Sequence, residues 1–110
     1  MISMEAALRR LDRLEAEVLD RWIAEEWVRP ARQGDAPVFE EADLARIRLI
    51  LDLRDELEVG EEAMPVVLNL LDQLHETRRQ MRRLCEALLQ AGPEERARDL
   101  LDRLRGGPGR

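Results

Sequence analysis

The stretch from Glu62 to Ala91 constrains this chain more than any other. With heptad position a at Val67, Leu74, Met81 and Leu88, position d falls on Leu70, Thr77, Leu84 and Ala91, and seven of these eight are apolar. A stripe sustained over more than three heptads predicts one long helix with a coiled-coil seam. Pro65 is tolerated only in a first turn, so the helix is expected to start within three residues of it. A chain of 110 residues has little core to spare for so long a stripe. The seam is therefore expected between two copies, through Val67, Leu70, Leu74, Met81, Leu84 and Leu88. The other reading is a long helix lying on the core of its own domain.

The rest of the chain reads as mainly α-helical, since Tyr is absent and Val and Thr are few. "SMEAALRRLDRL" places Met4, Ala7, Leu8, Leu11 and Leu14 on one face, and residues 15–26 repeat the pattern with Val18, Leu19, Trp22, Ile23 and Trp27. No Gly or Pro separates the two, so one helix and a helix-turn-helix both fit. Trp22 and Trp27 are roughly 140° out of phase on a helix. Trp22 is assigned to the core, which leaves Trp27 as an exposed anchor for a partner. "VRPARQGDAPVF" carries Pro30, Gly34 and Pro37 around a "QGD" turn, the pattern of a small wing hairpin. "FEEADLARIRLILDLRDELEV" follows as a helix with Leu44, Ile47 and Ile50 or Leu51 inward, and Leu57 as a further inward candidate, punctuated by Gly60. After Gly92, "PEERARDLLDRL" starts a terminal helix with Leu100, Leu101 and Leu104 as a stripe. The expected organisation is a domain over 1–60, the long helix over 61–91, the terminal helix over 92–105 and a disordered tail over 106–110.

Charge and chemistry exclude several functions. Residues 1–64 hold 17 acids and 9 arginines, net −8, against a net −6 for the whole chain. Such a front half repels a phosphate backbone and attracts a basic protein surface. Catalysis finds no support: His75 and Cys85 lie ten residues apart on one helix, about 15 Å at 1.5 Å per residue. Asp72 and His75 have the spacing of a carboxylate–histidine pair, but a two-metal bundle site needs a second such pair and further glutamates. No enzyme, metal, cofactor or small-molecule ligand is expected. "RRQMRR" (78–83) reads as a solvated helix face flanking Met81 rather than a nucleic-acid footprint. No apolar run approaches a membrane span or a signal peptide, and a single cysteine fits a reducing compartment, so a cytoplasmic location is expected.

Two short helices, "WVRP" leading into a wing, "FEEADLARIRLILDLRDEL" and a long helix resemble a MerR-type winged-helix regulator. The departure is in the second helix, where Glu15, Glu17 and Asp20 stand in the stretch that in MerR-type proteins faces the groove. Carboxylates facing phosphates weaken binding, so DNA binding through this helix is not expected. A relative of the fold with such departures is the CbpM family of chaperone modulators. The chain resembles that family over about residues 15–90, most closely in "LNLLDQL" within the long helix. The resemblance implies a non-enzymatic protein that binds the J-domain of a DnaJ/CbpA-type co-chaperone and tunes its work with a DnaK-type chaperone.

A J-domain presents a basic helix, and the acidic surface that would meet it is Glu15, Glu17, Asp20, Glu25 and Glu26 with Glu40, Glu41 and Asp43. For each residue taken singly, a solvated acidic surface is the plainer alternative. The competing function is a dimeric MerR-like transcription regulator reading DNA with its wing, through Arg29, Arg32, Arg46 and Arg48.

Overall fold

The structure is a computed structural model and is described here for residues 1–106. It is mainly helical, with the element order β1 (Ile2–Ser3), α1 (Met4–Arg10), α2 (Ala16–Ala24), β2 (Ala31–Gln33), β3 (Ala36–Phe39), α3 (Glu41–Asp55), α4 (Met64–Gln90) and α5 (Pro93–Leu104). This is a winged helix-turn-helix followed by a long helix. The chain divides into two compact units, Met1–Leu68 and Asn69–Arg110. The expected tail lies outside the described residues except for Gly106, whose N–H closes a turn on the Arg103 carbonyl at 3.1 Å.

In the first unit the wing is a two-residue hairpin. Gly34 opens the turn at φ 64°, the conformation that a primed hairpin turn requires at its first central position. β3 is central in the sheet order β1-β3-β2. Pro37 pairs with Arg32 of β2 alone, because β1 reaches only Val38 and Phe39, so the missing N–H breaks no ladder on the other side. β1 is too short to leave a sequence signal. Its last residue, Ser3, also caps α1, accepting a hydrogen bond on Oγ from the Ala6 N–H at 3.1 Å.

The helix-turn-helix question is settled by a residue with no obvious turn chemistry. Arg13, at φ 69°, reverses the chain between α1 and α2 in the left-handed region that L-residues avoid. Contacts with the end of α3 hold it there. Its guanidinium donates to Asp55 at 3.0 Å and Asp52 at 3.3 Å, and its carbonyl accepts from Arg54 Nη2 at 3.1 Å. Arg54 also donates to Asp55 at 2.7 Å and lies 5.7 Å from the centroid of the Trp22 ring.

α2 ends in a Schellman motif. The Trp27 N–H donates to the Trp22 carbonyl at 2.9 Å and the Glu26 N–H to the Ile23 carbonyl at 3.0 Å, with Glu26 left-handed at φ 63°. The hydrophobic contact that accompanies this motif is made by the two indoles, 6.2 Å apart between centroids. Trp22 is in the core as expected, but Trp27 is only 8% exposed, which corrects its assignment as an exposed anchor. The left-handed turn, absent from a simple helical wheel, swings Trp27 back onto the core.

α3 is capped by Asp43, whose carboxylate accepts from the Glu40 N–H at 2.8 Å. Leu44, Ile47, Ile50, Leu51 and Leu53 are all buried. Leu57 is 69% exposed and is not an inward residue, because the helix ends at Asp55 and the chain turns through Glu58 at φ 55°. α4 begins at Met64 with Pro65 in its first turn, as expected. Met64 and Leu68 are buried among the apolar side chains of the first unit, which contains no buried polar residue among those described.

Candidate functional site

α2 is the second helix of the helix-turn-helix. Leu19 and Trp22 face the core, while Glu15, Glu17, Asp20, Arg21, Ala24 and Glu25 are exposed. Its one basic side chain is taken: Arg21 pairs with Glu61 of the segment before α4. No described ion pair involves Glu15, Glu17, Asp20 or Glu25. The outer face of α2 is thus a set of uncompensated carboxylates, and Glu61 brings a further acid beside it. Glu61 leaves no signal in the sequence as a neighbour of α2, since only the fold brings residues forty positions apart together.

Glu26 completes the group on the left-handed residue after α2 and lies 3.8 Å from Arg29, an exposed pair of little energetic weight. The acids at the start of α3 are engaged differently. Glu41 accepts a two-pronged fork from Arg10, at 2.7 and 2.8 Å. The Arg10 hydrogen bond holds the Glu41 carboxyl below the usual carboxylate range, helped by the charges of Arg10, Arg48 and the N-terminus. Glu40 lies 4.0 Å from the terminal ammonium, and Asp43 serves as the helix cap. The eight acids therefore fall into two sets: Glu15, Glu17, Asp20 and Glu25, along and at the ends of α2, have no described ion pair, while Glu26, Glu40, Glu41 and Asp43 are each engaged by a group of their own chain.

The arginines expected to serve a DNA reading are also partly committed. Arg32 donates to the Asp35 carbonyl across the wing turn at 3.0 Å, and Arg46 Nε donates to the Trp27 carbonyl at 2.9 Å. Arg48 is exposed on α3.

Of the seam positions, Leu70, Leu74 and Met81 are 59, 45 and 57% exposed, and Val67, Leu84 and Leu88 are half-buried. α4 thus carries an apolar stripe that its own chain leaves largely open. Among the described residues, no group of three or more His, Cys, Asp or Glu side chains could hold a metal ion. No described helix is long and apolar enough to cross a membrane.

A family model described as MerR HTH family regulatory protein matches residues 6–86. The match runs from the first helix through the wing and most of α4, and stops before α5. No curated protein and no solved structure matches the chain. The helix-turn-helix, the wing, the long helix and this match over most of its length agree: the chain belongs to the MerR HTH family of regulatory proteins.

Proposed function

We propose that this protein is a non-catalytic modulator of the CbpM type, which binds the basic helix of a J-domain co-chaperone through α2. The observation that carries the reading is the outer face of α2: Glu15, Glu17, Asp20 and Glu25 exposed without an ionic partner, and Arg21 neutralised by Glu61. A phosphate backbone would meet these carboxylates at the position where a DNA reader needs cations. A basic protein helix would find complementary charge, which sets orientation and association rate.

The same reading makes the protein a dimer through α4. In an antiparallel helix pair each a residue faces a d residue of the second copy. One register matches every position: Val67 with Ala91, Leu70 with Leu88, Leu74 with Leu84, and Thr77 with Met81. A parallel pair would set two units of net charge −8 at the same end. The antiparallel pair brings each acidic unit toward the other copy's second unit, of net charge +2.

Titration calorimetry against a J-domain from the same genome tests the partner, beside a gel-shift with the promoter DNA of the protein's own gene. The expected result is micromolar or tighter binding that weakens with salt, and at least roughly tenfold with E17R/D20R. Salt-dependent DNA retention through the wing arginines, with no heat from the J-domain, would replace this reading by that of a transcription regulator.

A further inference from the structure

α5 lies beyond the stretch that the family model matches. Its first turn is fastened to the carbonyl end of α4: Arg96 Nε donates to the Ala91 carbonyl at 2.6 Å and Nη2 to the Leu89 carbonyl at 3.4 Å. Near that end Leu84, Ala87, Leu88 and Ala91 are half-buried, whereas Leu70 and Leu74 toward the other end of the stripe are exposed.

α5 has two distinct faces. Arg96, Asp99 and Arg103 share one, at three- and four-residue steps. One Asp99 oxygen receives Arg103 Nε at 3.4 Å and the other is fully enclosed with no hydrogen-bond donor. Asp99 is half-buried on that face, whereas Arg96 and Arg103 are exposed. Roughly 110° around the helix stand Leu100, Leu101 and Leu104, and these are 40, 50 and 75% exposed. A helix of twelve residues is marginal without an apolar face packed on something.

We propose that α5 is an intermolecular clasp, in which Leu100, Leu101 and Leu104 pack on Leu70 and Leu74 of a second copy. The proposal rests on the antiparallel pairing of α4. In that register Leu70 and Leu74 of the second copy lie opposite Leu88 and Leu84, beside the point where Arg96 anchors α5. The connection between α4 and α5 is only Ala91 and Gly92, which suits a hairpin that runs back along the seam. Lengths agree as well. At 1.5 Å per residue α5 is about 18 Å long, and two copies entering from opposite ends cover about 36 Å, the span from residue 67 to residue 91. A seam with layers as thin as Val67–Ala91 and Thr77–Met81 gains a third helix along each half. The area added matters because a stable dimer buries on the order of 800 Å² per partner.

Sedimentation equilibrium on the full chain decides the matter, with L101D/L104D as the clasp variant, L74D as the seam variant and L89D as a control at a 77% exposed position of α4. Helix content by circular dichroism is expected to stay the same in L101D/L104D, whose leucines are already half or more exposed. Its dimer dissociation constant should rise at least roughly tenfold, L74D should be monomeric, and L89D should match the wild type. An unchanged L101D/L104D dimer beside a monomeric L74D overturns the clasp and leaves the dimer standing. A tighter dimer in L101D/L104D also overturns it, and shows that α5 shields its own seam instead. A wild-type chain that stays monomeric overturns both.

Discussion

Glu26 adopts a backbone conformation in which glycine would be more stable, and replacing it tests the account of how α2 ends. At φ 63° it occupies the left-handed C′ position of the Schellman motif. A side chain there costs roughly 1–2 kcal/mol, because Cβ crowds the carbonyl oxygen. Glu26→Gly removes that cost and adds about 0.5–1 kcal/mol of unfolded-chain freedom in return. The other loss is the Arg29 pair at 3.8 Å, with side chains 77 and 74% exposed, which contributes little. The hydrogen bonds of Glu26 and Trp27 to Ile23 and Trp22 are backbone bonds and remain. The net expectation is a gain of about 0.5–1 kcal/mol, a rise in melting temperature of about 2–8 °C for a unit of this size. Thermal unfolding followed by circular dichroism at 222 nm measures it. Glu25→Gly is the matched control: Glu25 is right-handed at φ −80°, ψ −1°, so glycine there should lower the melting temperature. If Glu26→Gly destabilises as much as Glu25→Gly, the left-handed ending of α2 is wrong, and with it the burial of Trp27.

Three further outcomes follow from the same structure. Trp27→Ala removes a nearly buried indole from contact with Trp22 and should cost about 3–5 kcal/mol; a urea midpoint close to wild type would return Trp27 to the surface. Gly34→Ala meets no atom within 4 Å but is strained at φ 64°, so it should cost about 1 kcal/mol through the backbone alone, read from the same melts. Asp55 is held below its ordinary value first by its hydrogen bond from Arg54 and then by the charges of Arg54 and Arg13. A depressed folded value stabilises above the unfolded pKa and is lost as pH falls through the folded one. Urea midpoints below about pH 4 should therefore fall more steeply for wild type than for Asp55→Asn, and parallel slopes would remove this carboxylate from the acid-labile set.

What the sequence made legible is what depends on neighbours a few positions away. The start of α4 at Met64 follows from Pro65, the wing turn from Gly34, and the burial of Leu44 and Ile47 from helical spacing. What it hid depends on distant partners or on side chains in unfavoured conformations. Arg13 breaks the first helical stretch with no Gly or Pro, and its reason lies in Asp52, Arg54 and Asp55. Leu57 fits the spacing of α3 but falls past its end. The exposure of the α2 acids was legible from the apolar face opposite them, whereas the neutralisation of Arg21 by Glu61 was not.

Shape and charge are set by different residues in this fold, and that is why membership of the MerR HTH family does not fix the ligand. Every buried side chain described in the first unit is apolar, so the surface of α2 can change sign without touching the core. The arginines of that unit show the consequence. Arg10, Arg13, Arg21, Arg29 and Arg54 each lie within pairing distance of an acid, and Arg46 is bonded to the Trp27 carbonyl. Among the described residues this leaves Arg9, Arg32 and Arg48 with no described ion pair. They lie on α1, the wing and α3, and α2 contributes none of them. Proteins that hold DNA with useful affinity neutralise on the order of 6–10 phosphates, and a unit of net charge −8 would have to break its own pairs to do so. A basic helix asks for the reverse: it needs the carboxylates of Glu15, Glu17, Asp20 and Glu25 free, and the internal pairing of the arginines is what keeps nearby cations from competing for them.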